Sequence, residues 1–292
     1  MRASVKAFSA TALALAVPQA AFAAEEPRCD RPCLTTMLDR YMKALVAHKP
    51  EQASLVYGFR QTENAVAQAV GDGLWKSATG VGPGDRRYYD PETGNASWFT
   101  RASDPGISPQ DNKAVFDVKT FIAKPPPAAR LNPAGRKLTR DELVAVTESY
   151  FDGIVARDAS PILAHPGCTR FENGLEVTGR PLEDDRRNEG YQGRGDCMSG
   201  QGRFGVAFVA GRRYPVVDVE AQAVLAIATF IREPGNVKRR NHLMEYFYID
   251  DGKIRDVYTA FLYPEATRPV PNWPPYDGNF PLAPNMGAPA GQ

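Results

Sequence analysis

The sequence predicts an α+β fold in which one domain, a helix followed by an antiparallel sheet, occurs twice in tandem. Three observations carry that prediction. The first is a repeat at a fixed offset, the mark of a duplicated unit. Tyr41, Leu45, Val46, Ala47, Glu63 and Asn64 are matched by Tyr150, Ile154, Val155, Ala156, Glu172 and Asn173, all 109 positions on and without a gap. The second is a run from Pro125 to Pro133 that opens with three consecutive prolines. Such a run holds an extended, semi-rigid spacer and places a domain boundary there. The third is the order of local patterns. On each side of the spacer an apolar helical face precedes short strand-like runs bounded by Gly, Pro, Asn and Asp.

The elements follow in order. Residues 1–23 read as a secretory signal: Arg2 and Lys6, an apolar run from Ala7 to Val17, then Ala21, Phe22 and Ala23 as an A-x-A cleavage site. The run falls short of the roughly 20 apolar residues of a spanning helix, and Pro18 interrupts it, so cleavage is favoured over a membrane anchor. The implied location is periplasmic or secreted. The first domain is expected over 34–124. Leu34, Met37, Leu38, Tyr41 and Leu45 share one helical face, ended near Lys49 and Pro50. A strand-like run reaches Asn64, a short helix starts near Trp75, and strands are expected from Arg86, over 95–102 and over 114–123.

After a linker over 125–137, the second domain is expected over 138–264. Thr139 and Glu142 form a capping box for a helix that turns Leu143, Val146, Tyr150, Phe151 and Ile154 inward. Strands follow at 168–177, from Arg212, at 223–231, at 242–249 and at 254–263, the last two joined by a Gly-containing turn at Asp251 and Gly252. Arg212, Arg213 and Tyr214 echo Arg86, Arg87 and Tyr88, and Asp218 and Glu220 echo Asp90 and Glu92 at an offset of 128. The segment 265–292 is a Pro-rich tail.

The run from Glu245 to Ile254 resembles the closing hairpin of the SnoaL-like members of the NTF2-like superfamily, and the ends of both first helices, from Ala47 and from Ala156, resemble theirs. The resemblance is good over 138–264 and weaker over 34–124. It implies two cone-shaped domains, each a curved antiparallel sheet around a helix, with a cavity that in the superfamily's enzymes holds a carboxylate or His and mostly needs no cofactor. It also implies that a tandem chain could form the family's usual dimer internally, as a monomer. The motifs identify a fold rather than a reaction.

Composition narrows the function classes. With 35 basic and 34 acidic residues, the net charge of +1 gives no reason to expect nucleic acid or an anionic membrane as a partner. No phosphate loop, dinucleotide fingerprint, G-x-S-x-G or H-E-x-x-H motif is present. Four cysteines in an exported chain suggest the local pairs Cys29–Cys33 and Cys168–Cys197. A metal site is the weaker alternative, because no His stands at ligand spacing from a Cys.

The candidate proton-transfer group is Glu172, with Asn173 as its polar neighbour and His242 as partner acid or orienter. A carboxylate in an apolar cavity has its pKa lifted toward working pH, and an amide can hold an oxyanion. Glu63, Asn64, Trp75, Tyr246 and Arg203 are candidate substrate contacts. Each has a plain structural alternative: Glu-Asn-Gly is a good turn, His242 starts a strand, and Trp75 makes a good plug. The expectation is an exported, cofactor-independent lyase, dehydratase or isomerase for a small polar or aromatic molecule. The alternative is a non-catalytic periplasmic ligand-binding or interaction protein.

Overall fold

Asp30 caps the first helix by accepting a hydrogen bond from the Cys33 backbone, and Pro32 follows in the first turn, where its missing N–H costs nothing. In this computed structural model, which describes residues 29–64, 66–82, 86–100, 102–103, 118–178, 195–201, 205–233 and 241–263, the helix is α1 (Arg31–Val46). Its chain reverses at His48, in the left-handed region at φ 57°. The hairpin of β1 (Gln61–Glu63) and β2 (Val66–Gln68) follows, then the short helix α2 (Leu74–Ser77). Trp75 on α2 is 1% exposed and fills a small core with Ala44, Leu45, Ala53 and Ala78.

The remaining strands of this half pair only in twos. β3 (Gly80–Val81) joins β6 (Ala102–Ser103), and β4 (Arg86–Asp90) joins β5 (Asn95–Phe99). Thus, among the described residues, the first half holds three two-stranded ribbons in place of the expected continuous curved sheet. The strand expected over 114–123 is also corrected. Residues 114–117 lie outside the described residues, and Val118–Ala123 is a helix, α3. One helical turn is enough to bury Phe121 edge-on against Phe99, at 5.0 Å between centroids, while leaving Ile122 exposed.

In the second half the capping box is complete: Thr139 accepts from Glu142 N, and the Glu142 carboxylate accepts from Thr139 N. It starts α4 (Arg140–Ala156), whose Leu143, Val146, Tyr150, Phe151 and Ile154 are all buried. Gly153 is required where the next loop crosses, since a Cβ there would lie 2.4 Å from Ile162 Cγ1 and 2.9 Å from the Asp158 carbonyl oxygen.

Six strands form one sheet in the order β8-β7-β12-β11-β10-β9: β7 (Ala164–Glu172), β8 (Leu175–Glu176), β9 (Val206–Asp218), β10 (Ala223–Arg232), β11 (Asn241–Asp250) and β12 (Lys253–Leu262). All neighbours are antiparallel except β12 and β7, so the sheet is mixed rather than antiparallel throughout. The run expected as a strand over 168–177 folds back at Asn173 and Gly174, both at positive φ, to form the β7–β8 hairpin.

The two faces of the sheet have different neighbours. Side chains alternate along a strand. One set packs with α4: Val224, Ala226, Ala228 and Phe230 of β10, Leu243, Phe247 and Ile249 of β11, and Val257 of β12. The other set is aromatic and is covered by the first half. Tyr88 and Phe99 of the β4–β5 hairpin pack among Phe171, Val216, Leu225, Tyr246, Tyr248 and Tyr258. Tyr248 Oη donates to Tyr88 Oη at 2.7 Å, and Tyr88 Oη donates to the Pro127 carbonyl, which pins the linker to the same interface. Covering both faces is why β10 reads as a continuous apolar run and is buried over its first eight residues.

Among the described residues no helix is long and apolar enough to cross a membrane.

Candidate functional site

The core between α4 and the sheet is mostly apolar, and a buried polar cluster interrupts it. Glu245 lies between Leu243 and Phe247 on that face and is 2% exposed. Its strand register puts it opposite Thr259, which in turn stands beside Glu172 of β7. Partners in register share a face, so Glu245, Thr259 and Glu172 point the same way, toward α4. Arg170, two residues before Glu172, shares that face and is 5% exposed. Tyr150 approaches from α4 above it.

These groups form one connected cluster. Thr259 Oγ1 donates to Glu245 Oε1 at 2.5 Å. Arg170 Nη1 donates to Tyr150 Oη at 3.1 Å and to the Cys197 carbonyl at 3.4 Å, while its Nε lies 3.1 Å from Glu172 Oε1. Glu245 Oε2 is buried and has no hydrogen-bond partner among the described residues. Burial pushes the Glu245 carboxyl up to about 7; the Thr259 hydrogen bond and the Arg170 charge oppose the shift without cancelling it, and the Glu172 charge adds to it. Burial likewise pushes the Tyr150 hydroxyl up to about 12.

Toward the far end of the same face, Phe230 and Phe261 meet edge to face and Phe261 stacks on Tyr263. Arg232 follows Phe230 by two positions; its two guanidinium contacts to Asn241 Oδ1 hold it at that end. Two guanidinium groups, two carboxylates, the Thr259 hydroxyl and aromatic rings therefore share one face of the sheet, with the Tyr150 hydroxyl above them. A carboxyl titrating near neutral pH can donate a proton and, once ionised, accept one.

The residues expected from sequence have different outcomes. Glu172 does face this cluster, 26% exposed at its side chain and beside Arg170. Asn173 does not serve it: its side chain replaces a strand neighbour, accepting from Phe261 N at 2.7 Å and donating to the Phe261 carbonyl at 3.4 Å. An amide consumed by backbone cannot hold an oxyanion.

His242 is three residues from Glu245, so it stands on the opposite face, where it bonds Thr229 Oγ1 at 2.9 Å. It cannot be the proton partner of Glu172 across the sheet. Tyr246 is corrected for the same reason: it is buried against Tyr88 and Phe99 at the contact between the halves.

In the first half, the Glu63 carboxylate caps α2 by accepting from Leu74 N at 2.6 Å, and Asn64 turns the β1–β2 hairpin at φ 50°. Trp75 is a plug, with its indole N–H on Gln61 Oε1 at 2.7 Å. Arg203 lies outside the described residues.

Cys29–Cys33 and Cys168–Cys197 are both bonded, with Cα separations of 5.3 and 5.2 Å, inside the range a disulfide spans. This removes the cysteines as metal ligands. No other group of His, Cys, Asp and Glu among the described residues is placed to hold a metal.

Glu245, Arg170 and Tyr150 were not among the sequence candidates. A signal for Glu245 was present: it is the lone charged residue in the alternating apolar set Leu243, Phe247, Ile249.

A family described as "Domain of unknown function (DUF8021)" matches residues 136–261, from just before the capping box to the end of β12. No curated protein matches the chain. Among solved structures, a "putative ketosteroid isomerase" from Kribbella flavida DSM 17836 is similar at a TM-score of 0.31 and 15% identity, over 45% of this chain and 84% of that one.

Proposed function

We propose that the second half is an NTF2-like domain that moves a proton on a small organic molecule, as a lyase, dehydratase or isomerase without a bound cofactor. Glu245 is its general acid and base. The observation that carries this reading is the buried carboxyl with one unpartnered oxygen, on the helix-facing side of the sheet beside Arg170 and Tyr150.

Each neighbour has a role in such a reaction. Arg170 and Tyr150 are the donors nearest the cluster and would stabilise an enolate-like oxygen. Glu172, next to Arg170, tempers the positive charge felt by Glu245. The aromatic end of the face, Phe230, Phe261 and Tyr263, suits a flat or aromatic substrate, and Arg232 beside it suits an acidic substituent.

The reading can be tested before a substrate is identified. Small ketones, enones and aromatic acids bearing an acidified C–H are incubated with the protein in D2O, and deuterium uptake at carbon is followed by NMR. The wild-type protein is expected to catalyse exchange on at least one class, and Glu245→Gln to lower that rate by roughly 10²-fold or more. Exchange that Glu245→Gln leaves unchanged would remove Glu245 from the mechanism.

One observation favours a second reading, a ligand-binding protein: Arg170 is already engaged by Tyr150, Glu172 and the Cys197 carbonyl, as in a structural polar knot. Tight binding of a compound that never exchanges deuterium would select it.

The same proposal places the protein outside the cytoplasm. Its motive is the A-x-A site at Ala21 to Ala23 together with two disulfides, which persist in oxidising compartments. The mature protein purified from culture should begin at Ala24, and a mature chain still carrying Arg2 would refute export by this route.

A further inference from the structure

Two buried carboxylates hold the halves together, and they do so in the same way from opposite sides. Asp218, at the end of β9, is fully buried. It accepts from Arg31 Nη2 at 2.6 Å and from Tyr89 N at 2.9 Å, both in the first half, and from its own Ala221 N at 2.9 Å. Asp90, at the end of β4, is 1% exposed. It accepts from Arg140 Nη1 at 2.5 Å and from Val217 N at 3.1 Å, both in the second half, and from its own Thr93 N at 3.3 Å.

The partners correspond one for one. Arg31 and Arg140 are the first residues of α1 and α4, 109 apart. Asp90 and Asp218, Tyr89 and Val217, and Thr93 and Ala221 are each 128 apart. The hairpins agree in register too: Asp90 pairs with Asn95 and Tyr89 with Ala96, as Asp218 pairs with Ala223 and Val217 with Val224. The helix ends and hairpin turns also match, with His48 and Arg157 at φ 57° and 58°, and Asn64 and Asn173 at φ 50° and 48°.

A contact in which residue i of one unit meets j of the other, and j meets i, is isologous, the pattern of a two-fold dimer. We infer that this chain is a dimer fused into one polypeptide, in which the first half has become the permanent partner of the second and has lost its own site. The loss is visible at the positions that match the cluster. Gln61 stands where the second half has Arg170; Tyr41 and Glu63 keep the identities of Tyr150 and Glu172, but the Glu63 carboxylate is taken up by Leu74 N. The Trp75 indole lies edge-on to Tyr41 at 5.3 Å and bonds Gln61, so an apolar ring fills the corresponding place. The occupant of the outer sheet face is thus this chain's own first half, and the face is not available to a second chain. The matched contacts do not depend on whether Glu245 moves protons; the loss of a site in the first half rests on that reading.

Three measurements on the full chain test the inference. Light scattering should give the mass of one chain. Asp90→Asn and Asp218→Asn should each lower Tm by a similar amount, roughly 5–15 °C, because each strips charge from an equivalent buried pair. If either variant fails to fold, Arg31→Lys and Arg140→Lys, at the partly exposed edge of the contact, keep a positive charge beside each buried aspartate and should give smaller losses that again match. Finally, a protease site replacing residues 131–134 allows the intact protein to be nicked after folding. The two pieces should stay together at the mass of one chain, and should separate once both aspartates are changed to Asn. Pieces that separate with both aspartates intact would overturn the inference. So would a strong effect from only one member of each pair, or an uncut two-chain assembly that the Asp90→Asn and Asp218→Asn changes dissociate.

Discussion

Glu245→Gln is expected to stabilise the protein above neutral pH by about 3 kcal/mol and to change its stability little near pH 4. The sign follows from burial. The folded carboxyl titrates at about 7, against 4.5 for an unperturbed glutamate, and the largest cause is desolvation. Between those values the folded chain holds a proton that the unfolded chain releases, so stability falls as pH rises across that window. Above about 7 the charge is buried at full cost, and a shift of that size corresponds to about 3 kcal/mol. Glutamine has no charge to bury and removes the dependence. Unfolding the two proteins in urea at about pH 4.5 and about pH 8, on either side of that window, measures the difference directly. Parallel curves at the two pH values would mean that Glu245 keeps an ordinary carboxyl pKa, and the proton-transfer proposal would lose its main support. Arg170→Met should move the Glu245 midpoint further up, since the guanidinium is one of the influences holding it down.

Replacing Cys168 and Cys197 together by Ser should cost about 3–4 kcal/mol, a drop in Tm on the order of 10 °C. The bond joins residues 29 apart in sequence, and closing a loop of that length removes that much chain entropy from the unfolded state. It also fixes the segment whose Cys197 carbonyl accepts from both Arg170 and Gln201. Loss of the bond should therefore reach the Glu245 cluster as well as global stability. Cys29–Cys33 closes only a short loop at the start of α1, and removing it should cost less, about 2 kcal/mol. Equal losses from the two replacements would show that loop closure is not what the long-range bond contributes. Thermal scans of both double variants, with the wild type in reductant as a third sample, decide between these outcomes.

Much of the second half was legible in the sequence because local rules govern it. Thr139 and Glu142 announced α4, Asp251 and Gly252 announced the last hairpin, and the unbroken apolar run at 223–231 announced a strand covered on both faces. The offsets of 109 and 128 relate the residues that make the matched contacts of Asp90 and Asp218, but the contacts themselves come from the fold.

The site was harder to read, since period-two alternation says which residues share a face but not which face meets the helix. Glu245 and His242 fall on opposite faces by counting alone. That Glu245 faces α4, and His242 the other side, depends on α4 docking through Tyr150, Phe151 and Ile154. Asn64 and Asn173 misled for a related reason. Their recurrence recorded a turn that both hairpins need, with Asn in the left-handed region, rather than a shared chemistry.

By itself, then, the sequence determined the two long helices and the tight turns, because capping, turn geometry and alternation act over a few residues. Only the tertiary structure decided that β7 runs parallel beside β12, that Trp75 closes the first half's interior, and that one carboxyl ends up buried with an oxygen unpartnered among the described residues. Those outcomes depend on residues brought together from distant parts of the chain, where burial, and not local preference, sets the energy of each polar group.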